Sequence, residues 1–202
     1  MQQYESNNYA ALCGTAAAAP ELSHVSRGEQ FYRFPLRILR LSGTADCVNV
    51  LVRERLLPMP ELRAGTRVAV EGEVRSFNNK SGVGAKLVIA VFARAVCAQT
   101  EERDENLVRL TGTLCKPPVL RVTPRGREIC DLMLAVNRRC ARSDYLPCIA
   151  WGEQAARAGS WSVGARVSLT GRLQSREYRK LTETGTETRT AFEISASEVA
   201  LT

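Results

Sequence analysis

Short stretches in which hydrophobic and polar residues alternate recur along the whole chain, and this period of two predicts β-strands with one buried face. In the second half of the chain such stretches run through 129–137 and 166–173. In the first half they run through 32–38, 48–52 and 68–74. The pattern therefore indicates an all-β protein in which short strands follow one another.

Turn sequences separate these strands. Residues 123–126 place a proline and a glycine where a type I turn favours them, and 78–82 and 183–185 have the composition of hairpin tips. One stretch, 152–160, is rich in alanine and predicts a short helix.

The chain contains two copies of one unit. Residues 8–15 match 106–113 at an offset of 98, and 65–72 match 164–171 at an offset of 99. A repeat of this length means that each copy is one structural unit. Five strands in about 95 residues, with one helix between the third and the fourth, is the count of an OB-fold barrel.

The predicted architecture is therefore all-β, with two tandem OB-fold five-stranded barrels and a short helix in each. A diverged first barrel occupies 1–99, the second barrel occupies 106–202, and 100–105 form an acidic linker. Residues 101–105 hold four acidic side chains and one basic one, so we expect this linker to be solvated.

Several function classes are not expected from the sequence. No apolar run approaches the roughly 20 residues of a membrane-spanning helix, and residues 1–8 lack the basic and then apolar pattern of a secretion signal. The seven cysteines include no Cys-x-x-Cys pair, so neither a disulfide framework nor a zinc site fits. The single histidine, His24, lies in a turn-like stretch and is interpreted as a solvated loop residue. We expect a cytoplasmic protein that is not an enzyme and uses no metal or cofactor.

The charge is positive and comes mostly from arginine. The formal net charge is +7, and 24 of the 28 basic residues are arginine. Guanidinium groups bind phosphate with two hydrogen bonds and stack on bases, which suits a polyanionic partner. A genome rich in G and C would produce the same bias without any function, and composition alone leaves both explanations open.

Specific motifs in the second copy carry more information. They are NLVRLTG at 106–112, PVLRVTPRG at 118–126, LAVNR at 134–138, IAWG at 149–152 and GRLQSREY at 171–178. In their residues, order and spacing, residues 106–202 resemble the bacterial single-stranded-DNA-binding protein family throughout. The first copy resembles a diverged sister barrel, because it keeps the glycines and the alternation but loses most of the family's side chains.

The candidate binding residues combine aromatic faces with a cationic track, which is what sequence-tolerant binding of a single strand needs. Tyr145 and Trp151 are six residues apart on one predicted strand and therefore share a face. The resemblance implies that these two residues and Tyr178 stack on bases, although a further stacking position of the family falls near Cys140, which has no ring. The predicted nucleic-acid-binding set is Tyr145, Trp151, Tyr178, Arg172, Arg176, Arg138, Arg139 and Arg121.

The first copy is less well equipped for this role. Arg53 stands where Trp151 stands in the second copy, Cys47 matches Tyr145, and Glu73 matches Arg172. A carboxylate on a phosphate track repels the ligand. Two interpretations stay open for this copy, a smaller binding surface and a barrel-to-barrel interface.

Assembly is predicted from the number of barrels. The resemblance implies four barrels per assembly, and a chain with two barrels reaches four as a homodimer. Outward apolar residues of the first copy, namely Phe31, Leu39 and Leu51, would then be covered.

The leading hypothesis is a bacterial, nucleoid-associated protein that coats single-stranded DNA in DNA replication, recombination or repair. Replication proteins are possible partners, but the acidic C-terminal tail that the family uses for recruitment does not follow the last strand, so the chain could instead resemble the primosomal proteins of this fold or serve a mobile element. A protein-interaction scaffold and a single-stranded RNA binder are the alternatives.

Overall fold

The structure is a computed structural model that describes residues 7–57, 62–79, 85–100, 102–182 and 185–202. The two predicted hairpin tips lie partly outside these ranges. The strands of the first copy are β1 (Asn8–Ala16), β2 (Glu21–Ser26), β3 (Glu29–Leu39), β4 (Ala45–Arg53), β5 (Arg67–Asn78) and β6 (Leu87–Ala98), with a 3-10 turn at Glu54–Leu56. Those of the second copy are β7 (Glu105–Leu114), β8 (Val119–Val122), β9 (Glu128–Asn137), β10 (Ser143–Trp151), β11 (Arg166–Thr182) and β12 (Gly185–Leu201), with helix α1 at Glu153–Ala158.

Each copy closes into a barrel with the same strand order. In the first the order is β2-β3-β4-β6-β5-β1, and a pairing of β1 with β3 closes the barrel. In the second, read in the same direction, the order is β8-β9-β10-β12-β11-β7, and a pairing of β7 with β9 closes the barrel. One pair in each copy is parallel, β4 with β6 and β10 with β12. With the edge strands β2 and β8 set aside, this is the five-stranded OB-fold barrel that was predicted.

The sequence pattern missed the edge strands β2 and β8. Every residue of both strands is exposed, so neither has a buried face to produce the alternation from which strands are recognised. His24, predicted in a solvated loop, lies in β2. That expectation was wrong because an edge strand exposed on both faces has the composition of a loop.

The structure has two compact units, and each of them is formed by more than one segment of the sequence. The N-terminal unit contains the described residues of Tyr9–Arg75 and Ile89–Leu107. The C-terminal unit contains those of Met1–Asn8, Ser76–Val88 and Val108–Thr202. The end of β5 and the start of β6 therefore belong to the C-terminal unit, and the domain limits given by the sequence stay a prediction.

The predicted inward faces form the two cores. In β9 the alternating residues Cys130, Leu132, Leu134 and Val136 are all buried, as are Val167, Leu169 and Leu173 in β11. Burial of apolar side chains of this size contributes about 1.5–3 kcal/mol each. Trp161, in the segment between α1 and β11, is half-buried.

Glycines at matching positions allow the barrel strands to approach closely. A Cβ atom on Gly171 would lie 2.3 Å from the carbonyl oxygen of Ser195, and one on Gly72 would lie 2.3 Å from that of Phe92. Both distances are far below contact distance and involve backbone atoms. The duplicated glycines are thus required by packing.

One hairpin is built identically in both copies. Between β3 and β4, Arg40 donates two hydrogen bonds to Asp46, at 2.7 and 2.6 Å. Between β9 and β10, Arg138 donates two to Asp144, with its Nε 2.8 Å from Oδ2. Both aspartates are fully buried. An ion pair that recurs at an offset of 98 in two diverged copies is part of the barrel's framework.

The acidic segment before β7 is not fully solvated, contrary to expectation. The Asp104 carboxylate accepts hydrogen bonds from Arg67 Nη1 at 2.7 Å and from the Leu39 amide at 2.6 Å. Its side chain is 11% exposed. An arginine on β5 and an unpaired amide at the end of β3 therefore hold this acidic residue within the N-terminal unit.

Candidate nucleic-acid interface

The outward face of β10 carries the first two candidate aromatics. Strand β10 pairs with β9 without a break, from Ser143 opposite Asn137 to Trp151 opposite Ile129. Tyr145 and Trp151 therefore share one side of the strand, as their spacing predicts. Tyr145 is 53% exposed and Trp151 is half-buried. Pro147 keeps its register opposite Met133 of β9, and β12 pairs with β10 at Cys148 and Ile149.

Trp151 is held in place at the polar edge of its ring. Its Nε1 donates a hydrogen bond to Ser195 Oγ at 3.0 Å. Ser195 lies on β12, where it is opposite Arg172 of β11. The exposed guanidinium of Arg172 and the fixed indole of Trp151 therefore flank the same serine. This arrangement places an aromatic ring on β10 and a guanidinium group on β11, the two strands that flank β12.

Strand β11 continues the face with Arg176 and Tyr178. The Arg176 guanidinium carbon lies 5.9 Å from the centre of the Tyr178 ring, a cation–π contact. Arg176 is exposed and Tyr178 is half-buried. Both residues lie on the outward side of β11, together with Arg172, as predicted.

A carboxylate in the middle of this face was missed by the sequence reasoning. Glu193 of β12 is 8% exposed and accepts a hydrogen bond from Gln174 Nε2 at 2.9 Å. Arg176 Nε lies 3.8 Å from its other oxygen. The alternation of Phe192, Ile194 and Ala196 could have placed Glu193 outward. Its charge partly neutralises Arg176.

Two of the candidate arginines already have carboxylate partners. Arg138 is bound to the buried Asp144, as described above, and its side chain is 18% exposed. Arg121 Nε and Nη2 lie 2.5 and 3.0 Å from the Asp131 carboxylate, and this hydrogen bonding raises the pKa of Arg121. Arg139 is exposed in the turn after β9. Of these three, Arg139 is the residue most accessible to a phosphate.

The inward side of β10 has different chemistry. Burial raises the pKa of the Cys148 thiol, and the negative charge of Glu193 raises it further. Cys148 is therefore neutral and acts as a core residue. Among the described residues no group of three or more potential metal ligands occurs.

At the matching positions the first barrel has an arginine in place of the tryptophan and a phenylalanine in place of the serine. Arg53 replaces Trp151, and its guanidinium carbon lies 6.0 Å from the Phe31 ring centre and 5.6 Å from that of Phe92. Phe92 takes the position of Ser195, since the carbonyl oxygen of each lies against the matching close-approach glycine, Gly72 or Gly171. His24 stacks on Phe31 at 4.8 Å between ring centres.

This stack corrects one sequence expectation. Phe31 was predicted to be a spare outward apolar residue, but it is only 8% exposed because His24 and Phe92 cover it. Glu73, at the position of Arg172, is bound by both Arg75 and Arg94. The carboxylate that would repel a phosphate is thus neutralised within the N-terminal unit.

A tandem pair of OB-fold barrels, one of which has an outward face of aromatic and arginine side chains, is typical of proteins that bind nucleic acid. The sequence model of the Single-strand binding protein family matches residues 105–202. The second barrel of the chain belongs to this family. In the described ranges no helix has the length and hydrophobicity of a membrane span.

Individual relatives agree with the assignment. Single-stranded DNA-binding protein 3 of Streptococcus agalactiae is 35% identical over 80 residues, which cover 36% of this chain and 58% of that protein. The single-stranded DNA-binding protein of Bacillus cereus is 38% identical over 80 residues, which cover 36% and 47%. The chain thus spans about half the length of the curated relatives it matches.

Solved structures extend the similarity to both barrels. A deletion variant of the single-stranded DNA binding protein from Thermus aquaticus superimposes with a TM-score of 0.78 and 25% identity. The match covers 96% of this chain and 94% of that one. The wild-type protein gives the same TM-score at 24% identity. The tandem arrangement of barrels is therefore shared with a known protein.

Proposed function

We propose that the chain binds single-stranded DNA without strong sequence preference, through the outward face of its second barrel, and serves replication, recombination or repair in the bacterial cytoplasm. Stacking on Tyr145, Trp151 and Tyr178 would supply affinity, and Arg139, Arg172 and Arg176 would meet phosphates. The process is binding and involves no catalysis. The observation that carries the proposal is the fixing of the Trp151 indole by Ser195 next to the exposed Arg172.

The anchored tryptophan matters because of entropy. A free aromatic side chain loses rotamer freedom when a base stacks on it, which costs about 0.5–1.5 kcal/mol per immobilised side chain. The hydrogen bond from Trp151 Nε1 to Ser195 already fixes the ring in the folded protein. The rotamer entropy is therefore lost when the protein folds and not when a base binds. Stacking on such a ring contributes about 1–3 kcal/mol per base and accepts any base.

The first prediction is salt-sensitive binding to oligo(dT). Each phosphate neutralised on a single strand gives a slope of about −0.7 in the logarithm of the binding constant against that of salt concentration, so three arginines give about −2. A fluorescence titration at several salt concentrations measures this slope, and we expect tryptophan emission to be quenched.

The control for this titration is a matched RNA oligomer as competitor. A preference of tenfold or more for RNA would transfer the proposal to RNA. A folded protein that leaves oligo(dT) free at low salt would refute it, and a protein-interaction scaffold would then be the better hypothesis.

A second prediction concerns assembly. We propose that the chain forms a homodimer with four barrels, and that replication proteins are among its partners. Leu39 is 45% exposed and Leu41 is fully exposed, so the first copy has apolar surface available for a second chain. Light scattering should give about twice the 22.2 kDa of one chain at micromolar concentration. A mass near that of a single chain, with or without oligonucleotide, would exclude the dimer.

A further inference from the structure

The C-terminal unit contains a cleft beside Tyr145 that the outward face does not include. Its volume is about 340 Å³, and it is lined mainly by Ser76, Phe77, Lys116, Met133, Ser143 and Tyr145. Ser76 and Phe77 come from the end of β5, whereas Tyr145 and Ser143 come from β10. The volume lies at the lower end of the range of about 300–1,000 Å³ for small-molecule sites.

Ser76 attaches the end of β5, which forms one wall of the cleft, to strand β10. Its amide donates to Asp144 Oδ1 at 2.7 Å, and its Oγ accepts a hydrogen bond from the Tyr145 amide at 2.8 Å. Its carbonyl oxygen accepts a third from Arg138 Nη2 at 3.2 Å. Three bonds on one residue hold the end of β5 in a single position.

Arg138 also supports the neighbouring aromatic ring. Its guanidinium carbon lies 5.7 Å from the centre of the Phe77 ring. The same guanidinium is bound to Asp144, which is fully buried. Arg138 is therefore a positioning residue for Phe77, which accounts for an arginine in the predicted binding set that is not free to meet a phosphate.

The cleft leaves two aromatic rings accessible to solvent. Phe77 is 40% exposed and Tyr145 is 53% exposed, although both are large side chains in a well-packed unit. Met133 contributes apolar surface, and the exposed Lys116 contributes a positive charge at the cleft. Accessible rings with a cation beside them have the chemistry of a site for a base and its phosphate.

We propose that this cleft is an additional base-binding position, in which an unpaired base of a single strand stacks against Phe77 and Tyr145 while its phosphate pairs with Lys116. The inference rests on the proposed function and extends it to residues of the first sequence copy. It gives the bound strand a stacking position formed by residues of both copies, because Phe77 and Tyr145 are 68 positions apart in the chain.

The test compares two substitutions of Phe77 in the full chain. Phe77→Ala should weaken binding of fluorescein-labelled oligo(dT) about fivefold or more, the lower limit for one stacked base. Phe77→Tyr should retain wild-type affinity, because a ring remains. Lys116→Gln should make the salt slope shallower by about 0.7. Thermal melting of each variant checks that the fold is intact.

Cross-linking identifies the contact directly. Oligo(dT) with 5-iododeoxyuridine at single positions is irradiated with the wild-type protein, and we expect cross-linked peptides to contain Phe77. Wild-type affinity for Phe77→Ala, or cross-links confined to the Tyr145, Trp151 and Tyr178 peptides, would overturn the inference and leave the proposed function standing. No binding by the wild-type protein would overturn both.

Discussion

Replacing Tyr145 and Trp151 together with alanine should lower the affinity for oligo(dT) about 30-fold or more. Each ring supports one stacked base at about 1–3 kcal/mol, and the two losses should add because six residues of strand separate the rings by about 20 Å. Fluorescence anisotropy of a labelled oligonucleotide measures the affinity without depending on the tryptophan that is removed.

Two further variants make this test specific. Trp151→Phe keeps an aromatic face but loses the bond to Ser195, so its affinity should lie between those of the wild type and Trp151→Ala. Val163→Ala shortens an apolar side chain that is 54% exposed in the turn after α1, and it should bind as the wild type does. If the double variant stays within twofold of the wild type, the outward face is not the binding surface.

Gly171→Ala should destabilise the C-terminal unit by about 3 kcal/mol or more. The new Cβ would lie 2.3 Å from the Ser195 carbonyl oxygen, 2.9 Å from the Ala196 Cα and 3.0 Å from the Ser195 carbonyl carbon. All three atoms belong to the backbone of β12, so relief requires the paired strands to separate. Ser195 also holds Trp151, and the substitution should therefore weaken DNA binding as well.

Urea unfolding followed by tryptophan fluorescence measures this effect in the right unit, because Trp151 and Trp161 both lie in Val108–Thr202. Gly159→Ala is the matched control. That residue has a helical φ of −61°, and its Cβ would lie 3.3 Å from the Leu120 Cβ and 3.5 Å from the carbonyl oxygens of Ala155 and Ala156. The control should change the free energy of unfolding by less than about 1 kcal/mol. An unchanged midpoint for Gly171→Ala would contradict the close-approach argument.

The fold was predictable wherever strands have one buried face. Residues such as Leu132 and Leu134 are buried and alternate with half-buried neighbours because the barrel has an inside and an outside, and that contrast is recorded in the sequence. Strands β2 and β8 have no such contrast. Their pairing with β3 and β9 depends on backbone hydrogen bonds, which any side chain permits.

The candidate site was predictable only in part. The even spacing of Tyr145 and Trp151 predicted that the two side chains share one face of a strand, whereas Tyr178 was named from the family resemblance. Spacing could not show that Arg138 is held by Asp144, although the matching pair of Arg40 and Asp46 in the first copy was a visible signal. The cleft at Phe77 had no local signal, because its walls are far apart in the sequence.

The position of Ser76 has a consequence for the history of the chain. A fragment that begins at residue 106 would lack Ser76, and the Tyr145 amide and the buried Asp144 would each lose a hydrogen-bond partner. The second barrel in its present form depends on a piece of the first gene copy. A substitution that displaces the end of β5 therefore reaches the second barrel, although it lies in the first copy of the sequence.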